Sequence, residues 1–195
     1  MKKITFLVAA LCATTLAFAT ATGVKVTDLT TLKAGDKIAI TNFDGTKAMS
    51  IEQTTVDGKS YYRGSAAFDA ANVTTDVELI ELVASGENFK LKVTGGFLYY
   101  DATWDKNWLG TNETGTDFKF EATGDTLRAV EVASGRYIMF NTNEARFAAY
   151  TTTSSLRSVG TAIYVVTGEQ KEAVIESKTI AEFIAAEGVK CYLTA

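Results

Sequence analysis

Phe89-Lys90-Leu91-Lys92-Val93-Thr94-Gly95-Gly96-Phe97-Leu98-Tyr99-Tyr100 is the stretch from which the rest of the chain is read. Phe89, Leu91 and Val93 alternate with lysines, the period-two pattern of a strand with one buried face. Two glycines follow, and a second apolar run starts at Phe97, which is a hairpin signature. Trp108-Leu109-Gly110 and Phe118-Lys119-Phe120 add two more short strands, completing a unit of four.

The same order recurs on both sides. Upstream stand Lys37-Ile38-Ala39-Ile40, the turn Asp44-Gly45, Ala48-Met49-Ser50-Ile51, Tyr61-Tyr62-Arg63-Gly64 and Val77 to Leu82. Downstream stand Leu127 to Val132, Gly135, Tyr137-Ile138-Met139-Phe140, Arg146-Phe147-Ala148-Ala149-Tyr150 and Ile163-Tyr164-Val165-Val166. Gly45, Gly95 and Gly135 fall at one turn. Gly64, Gly110 and Ala148 fall in the third strand, and Val77, Phe118 and Ile163 open the fourth. Intervals of roughly 40–50 residues mark a supersecondary repeat. The expected fold is all-β: a β-trefoil-like barrel of three four-stranded repeats over residues 20–168. One unit cannot bury its apolar face alone, whereas three around an axis close a barrel. A β-sandwich or another small barrel is the competing architecture.

Composition narrows the chemistry. The chain has no histidine and no proline. Without imidazole there is no His-based acid–base catalysis, no Ser-His-Asp or Cys-His nucleophile, and no His metal ligand. Every turn must come from Gly, Asn, Asp, Ser and Thr.

The N-terminus reads as an export signal. Met1-Lys2-Lys3 precedes an apolar run from Ile4 to Phe18, too short and threonine-rich for a membrane span. Ala17-Phe18-Ala19 supplies a small-x-small cleavage pattern, with Ala19-Thr20-Ala21 as the second choice. The preferred leader is residues 1–19, giving a product that is periplasmic, cell-surface or extracellular, with no transmembrane segment. Cys12 lies within the leader, so Cys191 alone remains and no internal disulfide can form. Loss of Lys2 and Lys3 makes the formal charge of −4 more negative by two. That balance argues against nucleic-acid binding by the β-domain.

Glu169 to Lys178 reads as a polar linker. Thr179-Ile180-Ala181-Glu182 matches a capping box for a short C-terminal helix, and Val189, Cys191 and Leu193 alternate like a strand just begun. Residues 179–195 are therefore expected to open a second domain.

Several of these stretches carry a resemblance. Val26-Thr27-Asp28-Leu29 with Leu32-Lys33-Ala34-Gly35-Asp36-Lys37-Ile38 resembles the opening of a domain of secreted, mostly uncharacterised multidomain proteins from Gram-negative gut anaerobes. So do Gly135-Arg136-Tyr137-Ile138-Met139-Phe140-Asn141 and Arg146-Phe147-Ala148-Ala149-Tyr150. The tail from Thr179 is similar to the start of an OB-fold-like domain that often follows. The resemblance implies architecture and location and brings no catalytic residues. Ricin-type trefoils carry Gln-x-Trp in each unit, and this chain has none.

Two clusters stand out as ligand-binding candidates. Tyr100, Asp101, Trp104, Asp105 and Asn107 combine an aromatic face with polar groups, as sugar recognition requires. Trp108 is expected on a strand, filling the barrel. Asn141, Asn143 and Arg146 occupy the equivalent turn of the third unit, where ordinary turn chemistry competes. The first unit offers Asp57, Lys59, Tyr61, Tyr62 and Arg63, expected as a solvated hairpin. No calcium loop, phosphate loop or dinucleotide motif is present, and no cofactor, metal or catalytic residue is nominated. The expectation is a non-catalytic module binding glycans at the front of a longer exported protein. The alternatives are a spacer that positions a downstream domain and a two-carboxylate hydrolase with no visible site.

Overall fold

The structure, a computed structural model, describes residues 20–56, 59–103, 106–124, 126–151 and 160–171. The expected leader, Trp104, Asp105, the C-terminal helix and the second domain lie outside the described residues. Those described are all-β: thirteen strands and one short 3₁₀ turn, Leu29–Thr31. In chain order the strands are β1 Thr22–Lys25, β2 Lys37–Asn42, β3 Lys47–Val56, β4 Lys59–Ala67, β5 Ile80–Ser85, β6 Asn88–Val93 and β7 Gly96–Tyr99. They continue as β8 Gly110–Asn112, β9 Asp117–Thr123, β10 Thr126–Glu131, β11 Tyr137–Asn141, β12 Arg146–Tyr150 and β13 Thr161–Thr167. Among these residues no helix is long and apolar enough to cross a membrane.

Six strands pair in a closed ring: β2 with β5, β5 with β6, β6 with β9, β9 with β10, β10 with β13, and β13 with β2. The register recurs around it. Ile38 faces Ile80, Phe89 faces Phe118, and Leu127 faces Thr161. Leu82 faces Leu91, Phe120 faces Ala129, and Ile163 faces Ile40. Six of the other seven strands form the hairpins β3–β4, β7–β8 and β11–β12, with β12 also pairing β4. This register corrects one expected correspondence. Ile80 and Thr161, not Val77 and Ile163, match Phe118. Val77 lies ahead of β5, and its neighbour Glu78 is committed to Arg63.

Alternation places Ile38, Ile40, Leu91, Phe118, Leu127 and Ile163 in the main core. Burying such a side chain contributes about 1.5–3 kcal/mol. The 3₁₀ turn packs Leu29 and Leu32 against that core. Asp28 caps the turn by accepting the Thr30 backbone N–H at 2.9 Å. β2 is buried on both faces, because Ala39 sits in a second cluster with Ala21, Ala48, Phe68, Val73 and Val77. Small residues there let the outer layer approach closely. The matched turn glycines Gly45, Gly95 and Gly135 all have left-handed φ, at 68°, 87° and 66°. Glycine holds that region without the Cβ penalty.

β1 lies along β13, with Thr22 opposite Thr167. Thr20 bridges Glu169 beyond it. Gln170 Nε2 donates to the carbonyls of Thr74 and Val77 at 2.7 and 2.9 Å. Residues 169–171, read in sequence as the start of a linker, are thus held against the domain.

Candidate functional site

The β7–β8 connection carries the first cluster. Tyr100, directly after β7, is only 3 % exposed and belongs to the main core. Its hydroxyl donates to the Lys106 carbonyl at 3.2 Å, tying the two sides of the loop. Asp101 accepts the Thr103 backbone N–H at 2.9 Å and its hydroxyl at 2.7 Å. Those bonds, the hydroxyl's first, hold the Asp101 carboxyl below the usual carboxylate range.

The far side of the loop is fastened to the third hairpin. Arg136 Nη1 donates to Asn107 Oδ1 at 2.9 Å and to the Ala149 carbonyl at 3.2 Å. The Ala149 N–H donates to the Asn107 carbonyl at 3.3 Å. The Arg136 guanidinium also lies 4.8 Å from the centre of the Tyr100 ring, a cation–π contact. One arginine therefore grips both ends of the 101–107 loop. The sequence reading did not nominate Arg136. Its only signal was a cation directly after the turn glycine, next to a strand aromatic.

Trp108 departs from expectation. It is half-buried and precedes β8, while Leu109 next to it is wholly buried and takes the core place. The short β8 starts at Gly110, one residue past that core position.

In the second cluster Asn141 is 1 % exposed. Its Nδ2 donates to the Tyr150 hydroxyl at 2.9 Å, and its Oδ1 accepts the N–H of Asn143 at 3.0 Å and of Glu144 at 3.3 Å. Asn141 therefore shapes the β11–β12 turn from inside. Asn143 is exposed, and Arg146 lies 3.5 Å from the Glu144 carboxylate. Asn107 is fastened at the Ala149 end of the hairpin, three strand residues from the Asn141–Arg146 pair, or about 10 Å.

Arg63, expected on a solvated hairpin, is wholly buried. It pairs with Glu78, whose Oε1 accepts the Thr94 N–H and hydroxyl at 2.9 and 3.0 Å. Desolvation pushes the guanidinium pKa down from its ordinary value, and Glu78 opposes that shift.

A groove of about 440 Å³ lies beside β1 and the 3₁₀ turn, lined by Val24, Lys25, Asp28, Lys33, Asp36 and Val165 among others. None of the nominated residues among those described lines it. Among the described residues no three His, Cys, Asp or Glu side chains gather as a metal site.

No family model and no curated protein matches the chain. A solved structure, a salivary protein from Culex quinquefasciatus described as belonging to the "Cysteins and Tryptophan-Rich (CWRC) family", is similar at TM-score 0.44 and 14 % identity. The alignment covers 74 % of this chain and 96 % of that one. At that level the likeness carries neither fold nor function across to this chain.

Proposed function

We propose that this chain is an exported β-trefoil module without catalysis of its own, and that it binds carbohydrate through the β7–β8 loop. The trefoil reading is supported by the six-strand ring of pairings, the three hairpins and the recurring register. Export is supported by the leader pattern in the sequence, and the non-catalytic reading by the lack of histidine. The observation that carries the binding reading is Arg136 gripping Asn107 and Tyr100. A loop fixed at its base pays less ordering entropy when a weak ligand docks. Within the nominated set, Tyr100, Asn107 and Asn141 serve as scaffold. Asp101, Trp104 and Asp105 are the proposed sugar contacts, with Asn143 and Arg146 as a separate, secondary patch.

The test is tryptophan fluorescence against a panel of oligosaccharides, with Trp104→Ala alongside. A saturable change lost in the variant supports the reading. A folded protein silent across the panel sinks it.

A spacer role is the second reading, favoured by Gln170 holding the departing chain to the Thr74–Val77 segment. It expects no ligand for residues 20–168 and a downstream domain held in a fixed relation to this one.

A further inference from the structure

We propose that the segment Glu172-Ala173-Val174-Ile175-Glu176 seats in a groove on this domain and so fixes the course of the chain that follows. The inference goes beyond the sugar reading and stands whether or not the β7–β8 loop binds. It also gives the spacer reading a physical contact.

The groove, of about 330 Å³, opens where β2, β5 and β6 meet the segment from Val77 to Leu79. Val77 and Val93 are buried in its wall, but Ile51 is 45 % exposed, a large apolar side chain left in solvent there. The charged part of the groove is a row across three strands. Register sets Glu81 on β5 between Lys37 on β2 and Lys92 on β6. Lys92 Nζ donates to the Glu81 carboxylate at 3.0 Å. Lys37 has no ion-pair partner among the described residues. Glu78, the other carboxylate lining the groove, is committed to Arg63 and Thr94. Two ammonium groups thus share one carboxylate, and the row carries an excess of positive charge.

The chain arrives at this groove already aligned with it. Gln170 lines it, and its side chain holds the carbonyls of Thr74 and Val77. Thr74 and Lys171 form a parallel bridge, and the Thr75 N–H donates to the Lys171 carbonyl at 3.2 Å. Parallel pairing starts the next residues in the same sense as the run from Thr74 to Leu79, which ends in the groove wall. Lys37 and Lys92 stand two strand spacings apart, about 10 Å. Glu172 and Glu176, four residues apart, span about 13 Å when extended. They match the lysines in sign and nearly in spacing, and Val174 and Ile175 between them supply apolar cover for Ile51. A separate partner making equal contacts competes poorly, because a segment tethered at the groove has an effective concentration of millimolar order.

The experiment is amide exchange by NMR on the chain from Thr20 to Ala195. The Val174 and Ile175 amides should exchange about tenfold or more slowly than in an unstructured peptide of the same sequence. Ile51→Ser, a change at an exposed side chain, should remove most of that protection while the amides of Leu91 and Ile163 stay protected. Lys37→Glu with Lys92→Glu should remove it too, and adding Glu172→Lys and Glu176→Lys should restore it. That rescue separates charge pairing from damage to the fold. Free-peptide exchange at Val174 and Ile175 in the unaltered chain overturns the proposal. Protection that survives every groove variant also overturns it, since the segment would then be held elsewhere. None of these results depends on a sugar response, so the two readings fail separately.

Discussion

Arg63 and Glu78 form an ion pair sealed from solvent, with side-chain exposures of 1 % and 2 %. The aligned strand positions in the other two units hold Leu109 and Phe147, both wholly buried, and Phe147 is the cross-strand partner of Arg63. By the sequence alignment of the expected repeats, Arg63 stands where Leu109 and Phe147 place hydrocarbon. Among the described residues Arg63 Nε and Nη1 have no hydrogen-bond partner. Removing one member of such a pair strands the other charge. Arg63→Ala should cost about 3–5 kcal/mol in urea unfolding. Arg63→Leu with Glu78→Gln keeps an acceptor for Thr94 and should recover most of that loss. A loss below about 1 kcal/mol for the single variant would show the pair to be incidental.

Arg136 is expected to matter more to the loop than to the fold. Arg136→Ala removes the bond to Asn107 and the contact on the Tyr100 ring. Amide exchange over residues 101–107 should quicken, and any sugar response of Trp104 should weaken, while the protein stays folded. Arg136→Lys should not restore the loop, because a compact ammonium cannot donate to Asn107 and Ala149 and at the same time lay a planar cation on the Tyr100 ring. Unchanged exchange in both variants would remove Arg136 from the account.

The Asp101–Thr103 contact gives a pH signature. The folded-state pKa of Asp101 is lowered. Its contribution to the loop is therefore complete above the unfolded carboxylate value and lost as pH falls through the lowered folded value. In an NMR titration Asp101 should have a midpoint below the ordinary carboxylate range. Thr103→Ala, which deletes the hydroxyl donor, should move it upward. The same midpoint in both proteins would contradict the assigned cause.

Two glycines separate strain from crowding. Gly96 has φ 142°, and a Cβ there would collide with the Asn112 backbone oxygen across β7–β8. Gly124 has φ 59° with open space around it. Gly96→Ala should cost about 2–3 kcal/mol or more, and Gly124→Ala only about 1 kcal/mol. Thermal unfolding of both variants ranks them. Equal losses would mean that Asn112 yields.

The strand order and turn glycines were legible because they depend on neighbours in sequence. Alternation from Phe89 to Val93 and the glycines at 45, 95 and 135 report local geometry, and the ring pairings follow that order. The binding candidates were less legible. Tyr100 and Asn141 read as surface groups because they flank polar turns, yet each turns inward to partners the turn itself does not name. Arg63 read as solvated because its counter-ion lies fifteen residues away, in a loop. Trp108 yielded the core place to Leu109, since alternation fixes which faces are buried but not which neighbour wins. β1 escaped notice as a strand, because its long partner, β13, lies some 140 residues away in sequence.

The pairing of Thr20 with Glu169, and of β1 with β13, also sets how the domain would meet mechanical load. The start of β1 and the end of β13 lie at the same end of an antiparallel ladder, with Thr22 opposite Thr167. Tension between the leader side and the downstream side therefore pulls across the strands, loading backbone bonds one at a time, like a zip. β13 is a ring strand held on both sides by β2 and β10, whereas β1 pairs with β13 alone among the described strands, so β1 peels first. Single-molecule pulling from Thr20 and Lys171 should give early release of β1 at low force, and a single high-force rupture would refute this. A protein tethered at one end and working at the other could thus lengthen under strain by giving up one strand, keeping its core closed.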